Sequence, residues 1–167
     1  MENKTFEVTE DLFATQGQRF VNFTIDMIMR YVIIFGIGLI IAIIAKITDN
    51  YEIVLWMTSI GQFEEYLLGF IILLIYYTTM ETLLSRSIGK YITKTIVVMG
   101  DGSKPDLGTI FKRTLCRFIP FDGLSYFGGD HRGWHDSISD TYVVNKELFD
   151  AKKELFFAFD EIGTNQE

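Results

Sequence analysis

The sequence predicts a membrane-embedded all-α core: two transmembrane helices, an interfacial amphipathic helix and a small cytoplasmic two-stranded β ribbon. Three observations predict it. Two oily runs, at about residues 20–47 and 66–84, are each long enough to cross lipid as a helix. LGTIFKRTLCRFI, within about residues 106–119, carries Leu107, Ile110, Phe111, Leu115 and Phe118 at helical spacing. YITKTIVVM, residues 91–99, is rich in β-branched side chains and ends in the Gly100-Asp101-Gly102 turn signal, with SDTYVV (139–144) as its natural partner.

In chain order, residues 1–18 form a polar, mostly acidic N-terminal segment with no basic stretch ahead of a short apolar core. A cleavable signal peptide is therefore not expected, and the first oily run should stay as an anchor. That run contains YVIIFGIGLIIAIIA, which offers water no polar face. The loop at 46–65 sets Lys46 against Asp49, Glu52, Glu64 and Glu65, whereas Arg86, Lys90, Lys94, Lys104, Lys112, Arg113 and Arg117 follow the second run. This asymmetry places both termini in the cytoplasm and the loop outside, in a multi-pass protein of the inner cell membrane, with Trp56 and Phe63 suited to the interface. A two-stranded ribbon is marginal alone and should rest on the membrane helices. The helix at 107–119 is expected in the interface plane, with Lys112, Arg113 and Arg117 toward lipid headgroups; an ordinary core helix is the alternative. Residues 146–167 form an amphipathic tail, with Leu148, Phe149, Leu155, Phe156, Phe159 and Ile162 at helical spacing and TNQE fraying at its end.

Charge inside the first run poses the main functional question. At about 100° per residue, Arg19, Asp26 and Arg30 fall within about 40° of one another on a helical wheel, with Asn22 nearby. Asp26 and Arg30 are four apart and are placed to pair along the helix. Ionisable groups at such depth face a partner helix, a wet cavity or another subunit. Either the three charges set the depth and rotation of the helix, or Asp26 binds a cation or proton whose affinity the arginines tune.

Arg19 at the mouth of the first span and Asp26 seven residues into it resemble the opening of the RDD family of small membrane proteins. WHDSISDTYVV resembles that family's closing motif, with Asp136 matching its second aspartate. SIGKYITKTIVVMGDG is similar to its Gly-Lys segment through Gly89 and Lys90, and RTLCRFIP to its arginine-bearing helix through Arg113 and Arg117. The likeness runs over about residues 14–145 and sets a membrane domain at 19–145. Many members carry a third span before the HD motif; here FIPFDGLSYFGGDHRGW is too short and too polar to cross. Whether residues 118–128 dip into the membrane or lie on it stays open. The resemblance implies a membrane-helical fold and a transport role, with cation–proton antiport attributed to some members.

Together these readings predict that Arg19, Arg113, Arg117 and Asp136 cluster at the cytoplasmic mouth below Asp26, with Glu81 arriving at the same level from the second span. The cluster is either a charge relay that receives a cation from Asp26 or a salt-bridge network that docks the cytoplasmic helix. Two spans cannot enclose a pathway, so transport requires a homo-oligomer or a membrane partner subunit. The competing function is a non-transporting scaffold that recruits a protein through its cytoplasmic cap and tail.

Other classes are disfavoured. A net charge of −7 repels nucleic acid. DHRGWHD, residues 130–136, gathers two histidines and two aspartates, but no second ligand cluster completes a metal site, so none is expected. No G-x-S-x-G turn or phosphate-binding glycine loop is present, and no catalytic residue or cofactor is predicted. The single cysteine, Cys116, cannot form an internal disulfide and reads as a buried thiol.

Overall fold

Two long helices carry a compact cap at one end. The computed structural model describes residues 5–127 and 132–164, with side chains up to residue 158. Asp130 and His131 of the considered metal cluster, the side chains of Phe159 and Ile162, and the last residues of the TNQE tail lie outside the described part.

Helix α1 spans Gln16–Thr48 and α3 spans Gln62–Leu84; both are long and apolar enough to cross a membrane. Thr15 and Gln18 close a reciprocal capping box at the start of α1, so the helix begins four residues before the oily run. Along α1 only Arg19, Asn22, Asp26 and Ala45 are buried, while Ile28, Phe35 and Ile47 are exposed. The polar stripe thus faces protein and the apolar surface faces outward, the inversion that lipid as solvent demands. The stretch between the two long helices contains a short helix, α2 (Glu52–Ser59), where a plain loop was expected. Its EIVLWMTS run has helical spacing, but its length is too short for periodicity to show.

The cap starts with α4 (Ile88–Ile92), N-capped by the Ser87 hydroxyl, and strand β1 follows at Thr95–Met99. The strand expected over 91–99 therefore begins later, because Ser87 nucleates a helical turn that holds Tyr91 and Ile92. Helix α5 covers Leu107–Cys116, with the Asp106 carboxylate accepting from Thr109 N at 2.9 Å. A 3-10 stretch at Asp122–Phe127 and helix α6 (Trp134–Ile138) lead to β2 (Thr141–Asn145) and then α7 (Lys146–Thr164). The interval read as too short for a third span holds no long helix among the described residues.

β1 and β2 pair antiparallel, with Val97 opposite Val143 and Val98 opposite Tyr142. One face of the ribbon joins Val98 and Val144 to Phe6, Leu12 and Phe149. Phe6 meets the rings of Phe149 and Phe156 edge-on at 5.7 and 5.6 Å. The opposite face sets Val97 and Val143 against Ala14. The ribbon therefore draws much of its support from the N-terminal segment and α7. α1 packs chiefly on α4 and α3 chiefly on α5, so the two long helices touch each other little.

Candidate functional site

Asp26 projects from α1 into the junction with α4 and is almost fully buried. Its carboxylate accepts from Ser87 Oγ at 2.6 Å, from Gly89 N at 2.9 Å and from Tyr76 Oη at 3.2 Å. Tyr76 Oη in turn accepts from Ile88 N at 3.1 Å. Such close approach needs a glycine. A Cβ on Gly89 would sit 2.5 Å from the Asn22 carbonyl oxygen and 3.0 Å from Asp26 Oδ1. One turn earlier, the Asn22 amide lies 2.5 Å from Thr93 Oγ1 and 3.1 Å from Thr95 Oγ1. Asp26 is therefore a latch: one carboxylate holds the first turn of α4 and a tyrosine from α3 onto α1.

The expected Asp26–Arg30 pair does not form. Asp26 spends its oxygens on neutral donors from α3 and α4, and Arg30 turns toward Gly69, whose added Cβ would lie 3.5 Å from Arg30 Nη2. Helical spacing brings the two residues to one face, but in the fold the carboxylate is taken by donors from α3 and α4.

Below the latch runs a network of buried ion pairs. Glu81 of α3 pairs with Lys90 at 2.7 Å, with Arg117 at 2.7 Å and with Arg113 Nε at 3.1 Å. Arg113 also pairs through Nη1 with Asp136, and donates to Thr141 Oγ1 at 2.5 Å. Arg19 completes the chain with a 2.5 Å pair to the other Asp136 oxygen, which also accepts from Gly133 N at 3.0 Å. Glu81, Arg113 and Asp136 are 0% exposed. The structure thus gathers Arg19, Arg113, Arg117, Asp136 and Glu81, as the sequence pattern predicts, and adds Lys90.

The expectation for α5 needs correcting. Arg113, Thr114 and Ile110 are its buried face, while Leu107, Phe111 and Leu115 are exposed. Arg113 points into protein, not toward headgroups, because two buried carboxylates stand opposite it. Arg117 lies over the Tyr77 ring, 4.2 Å from its centroid. Cys116 is half-buried.

His135, considered earlier as a metal ligand, is instead tied to Asp122: its Nδ1 lies 2.6 Å from Asp122 Oδ2, and its backbone N donates to Asp122 Oδ1 at 2.8 Å. Burial pulls the imidazole down to about 4, outweighing the neighbouring Asp136. The ring is neutral at pH 7, and the facing carboxylate assigns the proton to Nδ1. For Asp136 burial acts upward, but Arg113 and Arg19 outweigh it and hold the carboxyl well below the usual range.

A cavity of about 570 Å³ opens beside this network, between α1, α3 and the chain after α5. Arg19, Arg30, Lys90, Arg113 and Arg117 line its charged side. Phe23, Met27, Phe70, Leu73 and Phe118 line the cavity too, with the Phe118 and Phe70 rings tilted to each other and their centroids 3.9 Å apart. Lys90, Tyr76, Ser87 and Asp122 were not singled out as site residues from sequence, and His135 was weighed only as a metal ligand. Lys90 had a signal, since it sits in the Gly-Lys segment; the others become functional neighbours only through folding.

With this geometry in view, a model described as the RDD family matches residues 13–140. No curated protein and no solved structure matches the chain.

Proposed function

The chain belongs to the RDD family, whose model matches more than half of its length, and from that premise we propose a membrane protein of the transport class, coupled to a cation or proton through Asp26. In this reading α1 and α3 are its two spans, and both termini and the cap lie on the cytoplasmic side of the inner membrane. The distribution of basic residues supports that orientation: Lys46 stands alone among acidic residues between the spans, while Arg86, Lys90, Lys94 and Lys104 follow α3. Helix α5 then lies at the interface with Leu107, Phe111 and Leu115 toward lipid.

One observation carries the proposal: a largely buried chain of carboxylates and cations beside the Asp26 latch and an open cavity between two apolar helices. Intramembrane ionisable groups in that setting mark a pathway. Asp26 acts as the coupling element. As a carboxylate it accepts three hydrogen bonds; once protonated or drawn to a cation it accepts fewer, and α4 loosens from α1. Ion occupancy thereby sets how tightly the cap closes the cavity. Two spans enclose no pore, so the working unit is a homo-oligomer or includes a partner subunit.

The test is proton movement in sealed vesicles holding the purified full-length chain, driven by a cation gradient. Wild type should move protons and Asp26→Asn should not. Equal rates for the two, or a strict monomer with no flux, would remove the transport reading. The scaffold reading is favoured by α7, which leaves Leu148, Leu155 and Phe157 exposed beyond its contact with β2. A protein that co-purifies with the full chain, and is lost with Leu148→Asp/Leu155→Asp, would favour it.

A further inference from the structure

We propose that the cavity between α1, α3 and the chain after α5 binds the oxyanion head of an amphiphile, a phosphate or carboxylate group whose apolar tail leaves between the two long helices. The inference goes beyond the transport reading and stands on the cavity's own lining.

Charge comes first. Five cationic side chains line the cavity against two carboxylates, Asp26 and Asp122. Neither carboxylate is free: Asp26 holds Ser87, Gly89 and Tyr76, and Asp122 holds His135. Glu81 and Asp136 stand behind the arginines, outside the lining. Because Glu81 and Asp136 already engage Arg19, Lys90, Arg113 and Arg117, Arg30 is, among the described residues, the lining cation left to attract an anion, in surroundings that screen it weakly.

Unspent donors come second. Arg113 is fully buried and lines the cavity, yet its Nη2 has no acceptor within the chain. Nε of Arg19, Arg117 and Arg30 is likewise buried without a partner. Arg30 has no carboxylate within ion-pair distance among the described residues, and its guanidinium lies 6.0 Å from the Tyr31 ring. Buried donors left open are costly, and guanidinium groups bind phosphate and carboxylate through paired hydrogen bonds. Arg30, the lining arginine without a carboxylate partner among the described residues, is the one an oxyanion in the cavity would pair with.

Shape comes third. The volume lies within the common range for small-ligand sites and is too small for a whole two-chain lipid. Met27, Phe70, Leu73 and Phe118 give the same lining an apolar part. α1 and α3 each pack mainly on the cap, and Arg30 reaches across to Gly69, where an added Cβ would lie 3.5 Å from its Nη2. Tyr31 and Tyr66, which line that side, are exposed on the outer surface. An unpaired arginine among apolar side chains, with Tyr31 and Tyr66 exposed at the edge, fits a head and the first carbons of a tail.

The experiment uses full-length protein in dodecyl maltoside, titrated with phosphatidylglycerol, phosphatidylcholine or inorganic phosphate, and read by native mass spectrometry and thermal unfolding. Phosphatidylglycerol should remain bound and raise the melting temperature while phosphatidylcholine does not. Arg30→Gln, which breaks no ion pair, should weaken binding about tenfold, as loss of one charge-assisted contact does. Lys112→Gln, at an exposed position on α5, should bind as wild type does. If inorganic phosphate alone protects the protein and Arg30→Gln abolishes that, the source is a free oxyanion and the shared chemistry stands. Equal binding of phosphatidylcholine, unchanged affinity in Arg30→Gln, or an equal loss in Lys112→Gln would overturn the proposal. Should Arg30→Gln fail to fold, Leu73→Trp, which fills the apolar part of the lining, must lose the lipid by the same factor. Lipid binding without any flux in vesicles keeps the site and removes the transport reading; flux without anion binding does the reverse.

Discussion

Replacing Gly89 by alanine tests the latch directly. The new methyl group would fall 2.5 Å from the Asn22 carbonyl oxygen, 3.0 Å from Asn22 Cα and 3.0 Å from Asp26 Oδ1. Two of those atoms are α1 backbone and cannot swing aside, so α4 must retreat. Overpacking of this kind costs about 1–3 kcal/mol. The retreat also stretches the 2.9 Å bond from Gly89 N to the Asp26 carboxylate, and hydrogen bonds to charged groups contribute about 1.5–3 kcal/mol. Since one displacement causes both losses, the expected total is about 3–5 kcal/mol, a large part of a typical folding stability of about 5–15 kcal/mol. Denaturant unfolding in detergent micelles, followed by the fluorescence of Trp56 and Trp134, measures it. Gly38→Ala is the internal control: nothing lies within 4 Å of a Cβ there, and alanine in a helix should gain about 1 kcal/mol. A loss below about 1 kcal/mol in Gly89→Ala, or equal behaviour of the two variants, would refute the latch.

Arg113→Met should cost about 3–5 kcal/mol, because Glu81 and Asp136 each lose a buried partner; Lys94→Met, at the exposed pair with Glu147, should leave the unfolding midpoint unchanged. Matching effects would show that burial does not set the worth of these pairs. His135 is held at about 4 in the fold against an ordinary value of 6.5, so between those values the unfolded chain binds the extra proton and stability rises with pH. Lowering the pH from 7 to 5 should therefore remove about 2 kcal/mol, and His135→Gln should flatten that slope; an unchanged slope would rule out this assignment. Phe6→Ala should cost about 3–5 kcal/mol and speed amide exchange at Val98 and Val144, whose side chains share its cluster. Unchanged exchange there would mean that the N-terminal segment does not support the ribbon.

The two long apolar helices were readable because hydropathy is a sum over neighbouring residues, and α1 and α3 bracket the predicted runs with a few extra residues at their N-termini. The stripe through Arg19 and Asp26 was readable from the helical period alone, and the β-branched runs announced both strands. The meeting of Glu81 and Asp136 with Arg19, Arg113 and Arg117 followed from placing all five at one end of the spans. Beginnings of elements were harder: β1 starts at Thr95 because Ser87 caps a helical turn whose signal is a single hydroxyl.

Periodicity shows that a helix has two unlike faces but not which of them meets protein. On α5 the choice fell to Glu81 and Asp136, residues distant in sequence, which drew Arg113 inward and left Leu107, Phe111 and Leu115 outside. The partner of Asp26 was undecidable for a related reason. Arg30 is near it along the chain, but Ser87, Gly89 and Tyr76 reach it only after α3 and α4 have packed. A buried carboxylate is satisfied by whichever donors the packed helices deliver. Local sequence therefore dictates where charge sits along each helix, and the assembly of helices dictates what that charge binds.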